Sequence, residues 1–268
     1  NIDAYAKEAD TAYKRPIVTR TFNTSWQMYD RHLYPGGAAR HHKLRKDHGD
    51  DVFLKGVQAY VKRYAHQVVE TDDFRRELEK ASGRSLGRWF DQWIHGLGYP
   101  RLKASAKYDA KAGELAVTLE QTQVDAKAGV GLFDMPLDIG WVVDGTMHTQ
   151  QIRLKEAKQI ALVRLEKEPE QIRIDPHGHA VLKLEFNPGD DKLRRQLTDA
   201  EDVVGRILAA NELCGTGTRA NIEAVGTAWQ TEPFWGVRVR FAEALAGAGN
   251  QAAIEALAAA IGAEQDPM

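Results

Sequence analysis

Tyr29-Asp-Arg-His-Leu-Tyr34-Pro-Gly-Gly-Ala38 places a tyrosine on a tight Pro-Gly-Gly turn that feeds a helix. Such a turn holds a side chain at a rigid, accessible point, as an electrophilic hydrogen-bond donor must be held. Helical signals run on from it to about Pro100. Phe53, Val57, Tyr60, Val61 and Tyr64 fall on one apolar stripe, with Gly49 ending the helix before it and Asp50 capping this one. Thr71 with Asp72 and Asp73 marks a second helix start, acidic where the helix dipole favours it. Ser85 opens a third, carrying Leu86, Trp89, Phe90, Trp93, Ile94 and Leu97, and Gly96, Gly98 and Pro100 stop it.

At Arg101 the period changes from 3.6 to 2. Leu102, Ala104, Ala106 and Tyr108 alternate, then Leu115, Val117 and Leu119, with Lys111-Ala-Gly between them as a turn. Further strands are predicted at Leu137–Val143, Met147–Leu154, Gln159–Leu165, Gln171–Ile174 and Val181–Phe186, with turn signals at Asp144-Gly145 and Pro176-His-Gly. This pattern predicts a small antiparallel β-sandwich; a partly open barrel fits the same spacing. After a linker with Asn187-Pro-Gly-Asp-Asp the helical period returns in four Ala-rich segments, marked by Val203/Ile207, Ile222/Val225, Val237/Phe241/Leu245 and Ile254/Leu257/Ile261. The unit beginning at Trp235 is of the kind found in HEAT-like repeats. Two helix pairs are few for a free solenoid, so either this end packs on the sandwich or the repeat continues past Met268.

The formal net charge of -2 across 268 residues provides no field to recruit nucleic acid or an anionic membrane. The apolar runs are only a few residues long, far short of the roughly 20 that span a bilayer. Cys214 is the sole cysteine, which excludes an intrachain disulfide and a thiolate metal cluster. That fits a reducing compartment such as the cytoplasm, although exported bacterial proteins often share it. The chain opens on Asn1 with neither an initiator Met nor a signal segment, and is expected to be a piece of something longer.

Three segments in order carry a resemblance: Tyr13-Lys-Arg-Pro-Ile-Val; Asp30-Arg-His-Leu-Tyr34-Pro-Gly-Gly-Ala38 with Leu44-Arg45 and Gly49-Asp-Asp-Val-Phe53; and Glu70-Thr-Asp-Asp-Phe74 with Glu79, Ser82-Gly83, Phe90-Asp-Gln-Trp93 and Gly98-Tyr-Pro100. Together they resemble the gluzincin zinc aminopeptidases, the family of aminopeptidase N and leukotriene hydrolase. The resemblance implies a multidomain α+β chain. Residues 1–100 would be the helical C-terminal part of a metallopeptidase catalytic domain, 101–187 a β-sandwich domain, and 188–268 a HEAT-like helical domain. It also implies that Tyr34, in the family's Tyr-x-Lys-Gly-Ala segment, stabilises the tetrahedral intermediate of peptide hydrolysis. Gly36 departs from that segment's usual Lys. The family binds zinc through H-E-x-x-H and a downstream Glu; none of the nine histidines here is followed by Glu-x-x-His. The resemblance therefore implies zinc in the full-length enzyme, none in this chain, and a peptide as substrate, with no nucleic acid and no membrane.

The plainer readings stand beside these. Tyr34 without that context is an ordinary packed aromatic. His41 and His42 are adjacent, cannot act as an i,i+4 pair of ligands, and read as solvated. His177 and His179 flank a glycine at a spacing a metal can use, but a surface loop explains them. Trp89 and Trp93 read as core. The Lys/Arg residues between 40 and 46, offset by Asp47, Asp50 and Asp51, read as a solvated helix end. The competing function is a non-catalytic aminopeptidase-like scaffold that binds protein partners, to which Gly36 and the polar Arg40/His41/Lys43/His48 face lend support.

Overall fold

A computed structural model describes residues 2–263; the chain ends used in the expected boundaries, 1 and 268, lie outside these described residues. Five helices come first: α1 Ile2–Thr11, α2 Tyr34–His48, α3 Asp50–Tyr64, α4 Thr71–Ser82 and α5 Gly87–Phe90, the last running into a wide turn over Asp91–His95. Seven strands follow: β1 Arg101–Asp109, β2 Glu114–Gln121, β3 Met135–Val143, β4 Thr146–Leu154, β5 Lys158–Arg164, β6 Gln171–Ile174 and β7 Lys183–Phe186. Five more helices complete the described chain: α6 Asp190–Asp199, α7 Val203–Gly215, α8 Arg219–Thr231, α9 Trp235–Ala248 and α10 Gln251–Ala263.

Helix α4 starts at Thr71 with Asp72 and Asp73 in its first turn, as expected, while the starts of α3 and α5 use other residues. Gly49, at φ 88°, ends α2 and also occupies the position before α3, so Asp50 caps nothing and instead accepts from Arg45. Glu70 precedes α4, and its side chain and that of Asp73 satisfy each other's backbone N–H groups, as in a capping box. The third start falls at Gly87 rather than Ser85, with Leu86 O accepting the first helical bond from Phe90 N–H while Leu86 N–H donates to the Glu79 carboxylate. On α3 Val61 is exposed, and the close contact is at Gly56, which lies against Leu78 of α4.

The strands form two sheets, ordered β5-β2-β1-β7 and β4-β3-β6. Asp144 and Gly145 both have positive φ, the conformation a two-residue hairpin between β3 and β4 requires. The expectation of wholly antiparallel pairing is corrected at one edge: β7 runs parallel to β1, from Arg101 opposite Lys183 to Ala104 opposite Phe186. The chain leaves β6 in the other sheet and crosses at 175–182. It enters β7 in the direction of β1, where Lys183 N–H donates to Pro100 O. Apolar side chains of both sheets (Leu115, Val117, Leu119, Ile139, Ile172) share one core, and Tyr5 of α1 and Trp93 join it. A smaller cluster of Ile17, Leu44, Leu78, Leu86, Phe90 and Ile94 holds α2 to α5 together.

In the last region α7 packs against α6 and α9, and α8 against α10, around Leu213, Ile222, Val225 and Phe241. The stretch read as a linker contains α6, whose ten residues carry only Leu193 and Leu197 as a buried apolar pair. On α10 the buried residues are Ala253 and Ala260, while Ile254 and Ile261 are 59 % and 75 % exposed, so the expected stripe is rotated by one residue. Among the described residues no helix is long and apolar enough to cross a membrane.

Candidate functional site

Tyr34 is the first residue of α2, with Pro35 directly behind it where a missing N–H costs nothing. Its side chain is 59 % exposed, and its hydroxyl has no hydrogen-bond partner among the described residues. Among aromatic rings of the described residues, that of Tyr34 pairs with Tyr29, at a centroid separation of 6.1 Å, and Tyr29 in turn meets Trp26 at 5.4 Å. With no side-chain hydrogen bond to hold it, the hydroxyl takes its position from the backbone that carries it.

That backbone is fixed from Asp30. The Asp30 carbonyl accepts from Tyr34 N–H at 3.2 Å, and its Oδ1 accepts from Leu33 N–H at 2.9 Å. The same carboxylate receives Arg15 through two bonds, Nε to Oδ2 at 2.7 Å and Nη2 to Oδ1 at 2.6 Å, and the Tyr13 hydroxyl at 2.7 Å. Burial pushes the Asp30 carboxyl up, but the Arg15, Tyr13 and Leu33 bonds outweigh it and hold it below the usual carboxylate range. Burial first, then the Asp30 carboxylate, pushes the Tyr13 hydroxyl up to about 12. Arg15 also donates to the carbonyls of Pro16 and Ile17 and, at 3.4 Å, of Met28, so its planar fork ties the 15–17 stretch to the 28–30 stretch.

His32 lies inside this turn, fully buried, stacked on Tyr13 at 5.0 Å and edge-on to Tyr5 at 5.2 Å. Its Nδ1 lies 3.1 Å from Glu8 Oε2, which also accepts from Arg31 N–H. Burial lowers the His32 pKa against the opposing pull of Asp30 and Glu8, so the neutral imidazole is favoured. Among the described residues Glu8, Asp30 and His32 form the one group whose ligand atoms converge within 4.8 Å. The set does not fit a catalytic zinc: both Asp30 oxygens are engaged by Arg15, whose cation already fills the place of a metal.

Arg40 and Lys43, expected on a solvated helix end, are each only 2 % exposed, which corrects that reading. Arg40 donates to Gly36 O at 3.1 Å, to Gly98 O at 2.9 Å and to the Tyr5 hydroxyl at 3.0 Å, and its guanidinium lies over the Tyr5 ring. Lys43 reaches Asp47, whose other oxygen accepts from Trp89 Nε1. A long stem lets each cation bury its methylenes and still find acceptors. This also accounts for Gly36. A Cβ there would come within 3.0 Å of the Tyr5 ring, 3.2 Å of Arg31 O and 3.3 Å of Arg40 Nη1, so a side chain at 36 and the buried guanidinium compete for one space.

An apolar cavity of about 400 Å³ opens between α2, α3, α4 and α5, lined by Leu33, Leu44, Tyr60, Phe74 and Phe90, with His41 and Glu70 at its polar edge. His41 and His42 are exposed as expected. The fold brings His42 to the loop histidines, 5.6 Å from His179, with His177 5.4 Å beyond, but their ligand atoms do not converge as a three-residue set. Trp93 is core, and Trp89 is partly buried beside it. Sequence reasoning isolated Tyr34 and missed its supports, although Tyr13, Arg15, Asp30 and His32 all lie in the segments that carried the resemblance.

Residues 2–93 match the Peptidase family M1 domain. Aminopeptidase N of Lactococcus lactis subsp. lactis is 27 % identical over 131 residues, which is 48 % of this chain and 15 % of that protein. Tricorn protease-interacting factor F2 of Thermoplasma volcanium is 29 % identical over 113 residues, 42 % of this chain and 14 % of that one. Aminopeptidase N of Streptomyces lividans is 32 % identical over 101 residues, 38 % and 12 % of the two chains. The chain thus spans less than a sixth of the length of these relatives. The crystal structure of Legionella pneumophila aminopeptidase A in complex with aspartic acid shares the fold, with a TM-score of 0.63 at 13 % identity over 91 % of this chain and 28 % of that one.

Proposed function

The chain belongs to the M1 aminopeptidase family, and from that premise we propose that it forms the tyrosine-bearing portion of a zinc-dependent peptidase that removes N-terminal residues from peptides. The observation that carries this reading is the exposed, unpartnered hydroxyl of Tyr34 on a turn whose backbone is rigidly bonded. A preset donor of this kind costs no reorganisation when negative charge develops on a scissile carbonyl oxygen. Tyr34 is therefore read as the donor to the oxyanion of the tetrahedral intermediate. The zinc on which the family depends would be held by residues other than these 268, which alone are inactive, since they contain no H-E-x-x-H. The division into a catalytic-domain end over 1–100, a β-sandwich domain over 101–187 and a HEAT-like domain over 188–268 belongs to the same proposal. Two sheets around one core and packed helix pairs after them support it.

The test is Tyr34→Phe in a protein that joins these residues to an H-E-x-x-H segment, assayed on an aminoacyl 4-nitroanilide. Loss of one such donor lowers kcat by roughly 10²–10³ with little change in KM. Folding is expected to be untouched, because the lost hydroxyl has no hydrogen-bond partner among the described residues. Activity within a few-fold of the parent would return Tyr34 to ordinary surface packing. The second reading, a non-catalytic scaffold for protein partners, draws on Gly36 in place of the usual Lys; it requires that no aminopeptidase activity accompany the assembled protein.

A further inference from the structure

We propose that Asp30 is a positioning residue, whose carboxylate, clamped by Arg15 and Tyr13, sets the place of the Tyr34 hydroxyl. The inference rests on the reading of Tyr34 given above and deepens it. Tyr34 makes no side-chain hydrogen bond among the described residues, and its ring leans on Tyr29 of the same loop, so its hydroxyl goes where this turn carries it. Asp30 controls that turn at two successive amides, Leu33 through the carboxylate and Tyr34 through the carbonyl. Both carboxylate oxygens are occupied: Oδ1 by Leu33 N–H and Arg15 Nη2, Oδ2 by Arg15 Nε and the Tyr13 hydroxyl. With its side chain 7 % exposed, Asp30 can neither swing to solvent nor exchange partners without breaking the Arg15 fork.

The clamp also joins stretches far apart in sequence. Arg15 takes Asp30 to the extended segment at Pro16 and Ile17, and Ile17 sits in the apolar cluster beneath α2. His32, wedged between the rings of Tyr5 and Tyr13, fills the inside of the turn so that it cannot collapse when the clamp loosens by a fraction of an ångström. Because Tyr34 sits one residue past the anchored amide of Leu33, a small rotation of the turn is carried outward to the hydroxyl. A displacement near 1 Å at a catalytic group costs on the order of 10²-fold in rate.

The experiment is a double-mutant cycle in the peptidase that carries these residues, using Asp30→Asn, Tyr34→Phe and both together, with kcat and KM read separately and melting as a control. Asp30→Asn keeps an acceptor for Leu33 N–H but loses the two-bond fork to Arg15, and is expected to lower kcat by about 10-fold or more with KM within a few-fold. In the Tyr34→Phe background the same change is expected to do almost nothing, since there is no hydroxyl left to misplace. Multiplicative losses in the double variant would overturn the proposal and leave Asp30 as a fold-stabilising residue. Should Asp30→Asn fail to fold, Tyr13→Phe removes a single hydroxyl bond from the same carboxylate. It is expected to lower kcat a few-fold, again only while Tyr34 is present, and an unchanged kcat would overturn the proposal. If Tyr34→Phe alone leaves kcat intact, the reading of Tyr34 fails, whatever Asp30 does.

Discussion

Gly56→Ala sets two opposing effects of known size against each other. In the interior of α3 alanine is favoured over glycine by roughly 1 kcal/mol, because glycine loses more backbone freedom on folding. Propensity alone therefore expects a more stable protein. The structure reverses the sign. A Cβ on Gly56 would lie 2.6 Å from Cδ2 of Leu78 and 3.1 Å from its Cα. Rotating the Leu78 side chain relieves the first contact, but the second is to backbone, so α3 and α4 must move apart. Leu78 is itself 2 % exposed and packed with Leu44, Phe90 and Ile94, which restricts even the rotation. Overpacking costs about 1–3 kcal/mol, and a contact to backbone puts this case in the upper part of that range, about 2–3 kcal/mol, so subtracting the propensity gain leaves a net loss of about 1–2 kcal/mol. The melting temperature should fall by about 2–8 °C, taking roughly 2–4 °C per kcal/mol for a chain approaching this size. Gly37→Ala in α2 is the internal control, because a Cβ there meets nothing within 4 Å. It should raise stability by about 0.4–1 kcal/mol. Urea midpoints and melting curves for both variants decide the matter: a Gly56→Ala protein as stabilised as Gly37→Ala would refute the argument from helix contact.

Two further outcomes follow from buried charge. Arg40→Met should lie within about 1 kcal/mol of the parent in urea unfolding, because Gly98 O keeps the Tyr5 hydroxyl and no acceptor is orphaned. Arg40→Ala leaves a void and should cost about 2–3 kcal/mol, and equal losses for Met and Ala would contradict this. Asp202 carries the acid dependence: burial raises its pKa, but the Arg173 fork and the Gly205 N–H outweigh that and leave it lowered. A depressed folded value means the unfolded chain takes the proton first. Its contribution is therefore complete above the ordinary carboxylate pKa of about 3.9 and is lost as pH falls through the folded value. Asp202→Asn should flatten the acid limb of stability measured from pH 6 to pH 2.5, and an unchanged limb would remove Asp202 from that role.

The sequence by itself determined the order helices, strands, helices, because the apolar period is a local property and switches at Arg101 and again after Asn187. It also determined the exposed tyrosine, since Tyr34-Pro-Gly-Gly has few other ways to enter a helix. Where the local signal was weak, the reading missed. In α6 two leucines among ten residues read as a linker, and on α10 alanine and isoleucine give nearly the same stripe at two rotations. Only the tertiary structure decided the rest. The parallel pairing of β7 with β1 depends on which sheet edge is open when the chain returns, and no run of residues encodes that. Arg40 and Lys43 look like solvated charges until Tyr5 and Gly98 arrive from elsewhere to accept hydrogen bonds from Arg40 and the Trp93 ring comes to lie beneath the Lys43 ammonium. The Asp30 clamp is likewise invisible along the chain: Tyr13 and Arg15 lie 17 and 15 residues before it, and the bonds exist only because folding closes that loop. Periodicity records which face a residue shows to its neighbours in sequence. The partners that fix the Tyr34 turn come from outside that range, so their identity is a property of the fold.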